Sequence, residues 1–340
     1  MMSRRRKHLL FALALSLSVA PACDEPVEAD FGDDDDIEFR PGFGAGGLLL
    51  NTSAIGDHPL HEFDRTGLLH ENVILEGVYV PKQMGKKTVW SRLQSVWVEQ
   101  GQIKGKTQDG VLLEGAGLVG SRWHFYTYGG GAKERDLYLV QHSFNEKAKL
   151  HKYVFGYPNN AEYGQHFYTK KGVEIPGTPY LGVCGAGGSL EAVVYEDLHV
   201  DMKTGEGAKV GNVINLACLS GAVGKAATWG YKSYELGVQK FIGAVRMIRA
   251  DYCGDGDSWT KPGTEIDLQD TWNIHKFYEP TNKTEALWNH KGALCLTVPR
   301  REEFKATDVL CGGKVLPDCA DDTLGTVPWA TLWTKVPPSP

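Results

Sequence analysis

The cysteines constrain this chain more than any other feature. There are seven, at positions 23, 184, 218, 253, 295, 311 and 319, and six of them lie after residue 180. Six is the number that three disulfides need, and disulfides persist in oxidising compartments. No CxxC spacing occurs, so neither a thioredoxin-like redox motif nor a zinc ribbon is indicated. The clustering places a boundary near residue 180. The seventh, Cys23, stands where an export signal would end.

Residues 1–22 read as that signal. Arg4, Arg5, Arg6 and Lys7 form a basic start, and an apolar stretch from Leu9 to Ala22 follows, too short to span a bilayer comfortably. A Cys directly after Ala22 fits lipidation of Cys23, which would anchor the chain to a membrane. Residues 23–58 then read as an acidic tether. Between Asp24 and Glu38 there are nine acids and no Lys or Arg. Such a segment cannot bury enough apolar area to order itself, and its charges keep it extended. The net charge of −6 belongs to this tether. The remainder is nearly neutral, which argues against a nucleic-acid partner.

Residues 59–180 read as a β-rich domain. Asn72–Val80, Ser95–Val98, Val111–Val119 and Asp136–Phe144 are apolar, β-branched runs separated by glycines, the pattern of a sandwich or barrel. His124-Phe125-Tyr126-Thr127 recurs as His166-Phe167-Tyr168-Thr169. On strands, His and Tyr of each copy face one side and Phe and Thr the other. Residues 181–325 change character and read as a disulfide-stapled α+β domain. Apolar spacing predicts helices over 212–229 and 238–248, joined as a helical hairpin, and Asn282 with Glu285 predicts a capped third helix over 282–288. Residues 326–340 form a tail.

Arg249-Ala250-Asp251-Tyr252-Cys253-Gly254-Asp255-Gly256, followed by Gly263-Thr264, resembles the signature of the ADYC-domain proteins. Ala217-Cys218, Trp229-Gly230-Tyr231-Lys232, Ala286-Leu287-Trp288 and Gly292-Ala293-Leu294-Cys295 extend the resemblance over roughly residues 181–320. The family comprises bacterial exported proteins, many of them predicted lipoproteins, so the resemblance implies export but no chemistry. Its members often carry cysteines at the positions of Ala226 and Ala244. Their joint absence here implies that those two pair in other members. The same hairpin geometry implies Cys218 with Cys253. Cys311 and Cys319, close in sequence, then form a local loop, which leaves Cys184 with Cys295. This is one of fifteen connectivities.

The sharpest candidate for chemistry is Asp251, Asp255 and Asp257 on a glycine-rich loop, with Glu265 and Asp267 near in sequence. Carboxylates so placed could gather oxygen ligands for Ca²⁺, although the spacing is not that of an EF-hand. The competing reading has Asp251 capping backbone N–H groups and Asp255-Gly256 making a turn. Cys184, between Gly182 and Gly185, fits a cystine half better than a nucleophile, since no His base is marked. Trp229, Tyr231, Tyr234, Trp259 and Trp272 either stack on sugars or fill a core. No HExxH, GxxxxGK[ST] or GxSxG motif occurs. The primary functional expectation is a non-catalytic envelope or surface module that binds a protein or glycan. The alternatives are an extracytoplasmic hydrolase using the Asp251–Asp257 loop and a purely structural envelope protein.

Overall fold

The computed structural model describes residues 48–338, apart from 56–57, 68–72, 128–132, 160–171, 186–188, 262 and 278. The signal, Cys23, the acidic run and the second His-Phe-Tyr-Thr copy lie outside the described residues.

Seven strands form a closed ring: β1 (Glu62–Asp64), β2 (Val73–Met84), β3 (Arg122–Thr127), β4 (Lys133–Asn145), β5 (Leu150–Pro158), β6 (Glu191–Val200) and β7 (Gly207–Cys218). Each pairs with the next in sequence, and β7 returns to pair with β1. An odd number of strands cannot alternate direction all the way round a ring. One joint must be parallel, and it is β1–β2, where a single pair, Asp64 and Ile74, marks the register. The ring crosses residue 180, where cysteine counting placed a boundary, and the described residues fall in one compact unit.

The interior is aromatic. Trp123 lies 5.6 Å from Phe63 and 5.5 Å from Phe155, and Phe63 lies 5.5 Å from Phe125, ring centre to ring centre. Alternation sets this filling. In β3, Trp123, Phe125 and Thr127 point inward while Arg122, His124 and Tyr126 face outward. The first His-Phe-Tyr-Thr copy thus faces as period two dictates.

On β6 and β7 both faces are buried. Ala192, Val194, Leu216 and Cys218 fill the ring, while Val193, Tyr195 and Ala217 pack outward against helices. The helices are α1 (Ala222–Thr228), α2 (Ser233–Leu236) and α3 (Val238–Arg249). A second, four-stranded sheet contains β8 (Asp267–Asp270), β9 (Lys283–Asn289), β10 (Gly292–Leu296) and β11 (Leu332–Val336), in the order β8-β11-β9-β10. Helix α3 packs against β7, β9, β10 and β11. Every residue from Phe241 to Arg249 is buried, including two arginines.

Two expected helices are therefore corrected. Residues 207–218 are strand β7, and only 222–228 of the first helix exists. Over Val213–Cys218 the strand is buried on both faces and apolar at every position but Asn215, so it matches helical spacing as well as strand spacing. The third helix over 282–288 is strand β9, whose both faces are also covered. The helix at Val238 is present as read.

The disulfides join Cys184 with Cys218, Cys253 with Cys311, and Cys295 with Cys319. All six cysteines are used, but none of the three expected pairs forms. The implied Cys218–Cys253 pair fails because Cys218 ends a strand inside the ring, while Cys253 follows α3 on its far side. Cys319 is drawn to β10, and Cys311 lies on a small separate hairpin. Peptide mapping without reduction is expected to recover these three crosslinks and no Cys311–Cys319 peptide. Opening any one by double Cys→Ser substitution is expected to cost about 2–4 kcal/mol in chemical denaturation.

Candidate functional site

The C-terminal end of α3 is closed by a dense set of hydrogen bonds. A buried helix terminus leaves carbonyls that water cannot reach, so each needs a partner. Asp251 N–H donates to Arg246 O at 2.9 Å and Ala250 N–H to Met247 O at 3.0 Å. Arg300 donates from Nη2 to Met247 O and from Nη1 to Ile248 O, both at 2.9 Å. Ser258 Oγ and Trp259 N–H donate to Arg249 O, both at 3.1 Å.

Arg300 is held in turn by Glu285 of β9. Nε and Nη2 donate to the two carboxylate oxygens at 3.0 Å each. Tyr252 donates to Glu285 Oε1 at 2.7 Å and accepts the Arg300 backbone N–H at 2.8 Å. All three residues are buried. Glu285, expected to cap a helix, is the counter-ion of this network.

The tetrapeptide 250–253 supplies the rest. Ala250 takes the left-handed conformation, φ 51°, that ends the helix. Asp251 is fully buried and accepts N–H groups from Asp255 at 3.1 Å and Gly256 at 3.2 Å. Tyr252 joins the ion pair, and its ring stacks 5.2 Å from Trp288. Cys253 is bonded to Cys311. Gly254, φ 68°, lets the loop pass against the β9–β10 turn, where a Cβ would meet Lys291 O at 1.8 Å.

The Ca²⁺ reading meets this geometry directly. Both oxygens of Asp251 accept backbone N–H groups, whose partly positive hydrogens occupy the places a cation would take. Asp255 is exposed and accepts the Asp257 N–H at 3.1 Å. Asp267 caps Leu268 and Glu279 on another element. Among the described residues no three His, Cys, Asp or Glu side chains come together to hold a metal ion. Cys184 is a cystine half, as its surroundings indicated. Of the five aromatics singled out in the sequence, Tyr231 is fully buried and the other four half-buried around the helices.

A different set of aromatics is gathered on the outer wall of the ring. Tyr79 of β2 and Tyr138 of β4 both register with Arg122 of β3. The Arg122 guanidinium lies 4.9 Å from the Tyr79 ring centre and 5.1 Å from that of Trp90. Next in the rung, Tyr138 pairs with Gly156 of β5. The absent side chain there lets Tyr180 lie on Tyr138 at 4.9 Å, since a Cβ on Gly156 would meet Tyr180 at 2.8 Å. Trp90, 40% exposed, completes the row 6.2 Å from Tyr138. One step along the strands lies a recess of about 440 Å³ lined by Arg65, Glu76, Arg92, Gln94, Gln108 and Asn212. Beside it His124 bridges Glu76 at 3.0 Å and Asp136 at 2.8 Å. Sequence reasoning missed this row, because its members come from five strands and only the register unites them.

A closed ring carrying a helix layer, a second sheet and three disulfides defines a protein built for an oxidising compartment outside the cytoplasm. Among the described residues no helix is long and apolar enough to cross a membrane. The ADYC domain profile matches residues 115–302, more than half of the chain, and the protein belongs to that family. The match begins 66 residues before the 181 at which the resemblance was read, so the domain includes strands of the ring. No curated protein and no solved structure matches the chain.

Arg300→Ala strands a buried carboxylate and two carbonyls, so it is expected to cost about 3–5 kcal/mol, read by chemical denaturation. Pairing Arg300→Met with Glu285→Leu removes the stranded charge but leaves the Met247 and Ile248 carbonyls unpaired, so it is expected to recover only part of that loss. Asp251 gives a pH signature. Burial raises its carboxyl to about 6, against the pull of Arg249 and Arg246. A raised carboxyl contributes stability that is full below its unfolded pKa and is lost as pH rises through 6. The advantage of the parent over Asp251→Asn is expected to be largest near pH 4 and to shrink by pH 7, measured by urea denaturation across that range.

Proposed function

We propose that this protein is a non-catalytic binding module of the bacterial envelope or cell surface, lipidated at Cys23 and carried on an acidic tether. Its ligand is a glycan, with a protein as the competing partner. The observation that carries the reading is the aromatic row Tyr79, Trp90, Tyr138 and Tyr180 around Arg122. Ring faces stack on the apolar faces of sugars, and a neighbouring guanidinium and amides bond to hydroxyls. The row lies on a rigid sheet, so little ordering entropy is spent on binding. The hydrolase alternative loses its support, because the carboxylates assigned to it include Asp251, whose oxygens serve the backbone.

The test is co-sedimentation of the mature protein with isolated cell-wall polysaccharide, before and after protease treatment of that material. Retention is expected to survive the protease. Trp90→Ala is expected to weaken it about fivefold, the scale of roughly 1 kcal/mol for one aromatic contact, with unchanged thermal unfolding. Retention that vanishes with protease treatment would replace the glycan by a protein partner. Retention indifferent to Trp90 would remove the row from the site.

A further inference from the structure

Trp329 is the most exposed large apolar residue described, at 85%, and its backbone sits at φ 68°. A bulky residue in the left-handed region is a genuine outlier, held there only when the surroundings fix it. They do so here. The next residue, Ala330, is buried in a small core with Leu287, Cys295 and Cys319, so the Cys295–Cys319 disulfide lies beneath this loop. Ala330 N–H donates to Val327 O at 3.2 Å, and Thr331 N–H donates to Trp288 O at 2.8 Å. The loop is pinned on both sides of an indole turned to solvent.

That indole borders a recess of about 470 Å³, within the size range of small-ligand sites. The other lining residues are Gln239, Lys240, Asn289, His290, Lys291 and Thr331. None is acidic, and two are lysines. Asn289 accepts the Lys291 backbone N–H with its oxygen at 2.7 Å, which leaves its amide NH₂ to donate. Burial, then Lys291 and Arg246, lowers the His290 pKa, so its imidazole is neutral at pH 7. The recess thus offers a flat aromatic face, amide and hydroxyl groups, the ammonium of Lys291 and, at its rim, that of Lys240, which lies 5.8 Å from the Trp272 ring centre. A hydroxyl-rich ring bearing an anion complements all three. A hydrocarbon surface would leave the amides unused, and a neutral sugar would leave the lysines unused.

We propose that the Trp329 recess binds an acidic saccharide, with the indole stacked on a sugar face and Lys240 and Lys291 meeting its carboxylate. This site lies on the second sheet and the start of α3, and it stands independently of the aromatic row on the ring.

The test is calorimetric titration of the mature protein with tetragalacturonate and with the same oligosaccharide after reduction of its carboxyls. The acidic oligomer is expected to bind and the reduced one to bind at least tenfold more weakly. Trp329→Ala is expected to weaken the acidic oligomer roughly tenfold, the loss of one stacking contact. Lys240→Gln with Lys291→Gln is expected to abolish the preference for the acidic form and its salt dependence. The titrations are made on the Trp90→Ala background, so that saccharide held by the aromatic row does not contribute to the signal and the two sites are read separately. Equal binding of the two oligomers, no binding of either, or indifference to Trp329 would overturn the proposal. Retention on phosphatidylglycerol vesicles that depends on Trp329, without oligosaccharide binding, would overturn it in favour of a lipid surface.

Discussion

The carbonyl end of helix α3 lies in the interior, and the fold is arranged around satisfying it. A helix between a barrel wall and a second sheet cannot turn its last carbonyls to water. Arg300 reaches Ile248 O and Met247 O from 52 and 53 residues further along the chain, and it does so as a buried cation. That cation requires Glu285 of the central strand of the second sheet. A buried ion pair is weak evidence for net stability, because desolvating both charges offsets most of their attraction. It ties together three segments distant in sequence, at 246–252, 285 and 300.

The tetrapeptide that marks the family belongs to this junction. Ala250 turns the helix off, Asp251 closes the next loop, Tyr252 supplies a hydroxyl to the ion pair, and Cys253 fixes the loop to Cys311. Four adjacent residues thus have four different structural tasks, each with little tolerance for substitution. A motif can be highly specific for that reason alone. In this protein the two surfaces we propose for recognition lie elsewhere, on the outer wall of the ring and on the loop of Trp329.

How much of this was legible in the sequence follows from burial. Strands with one face buried, such as the one around Trp123 and Phe125, alternate cleanly and could be read with their facing. Strand β7, covered on both sides over Val213–Cys218, lost its period and passed for a helix, whereas β9 passed for one because Asn282 and Glu285 stand at capping spacing, although Glu285 is the partner of Arg300. The Asp251 loop was visible as a cluster of acids and glycines. Whether its carboxylates look outward to a cation or inward to N–H groups depends on Arg246, Gly256 and the β9–β10 turn packed around it. Cystine partners depend on which elements become neighbours, so counting found the six cysteines and spacing could not pair them. The aromatic row was illegible because register across five strands assembles it, and Trp329 sits in an irregular loop with no period at all.

The antiparallel β1–β7 joint that closes the ring constrains how the chain folds. The ring closes when β1 meets β7, a seam where the Asn215 side chain donates to Glu62 across 153 residues of chain. The disulfides span 34, 58 and 24 residues, and none begins before Cys184. The Cys184–Cys218 bond shortens the path to that seam only modestly, to about 126 residues, so most of its loop-closure entropy is borne by hydrogen bonds and aromatic packing. Barrel closure must wait until nearly two thirds of the polypeptide has been synthesised. Until then β1 and β2 have no closed ring to join, and their edges stay open to unintended pairing.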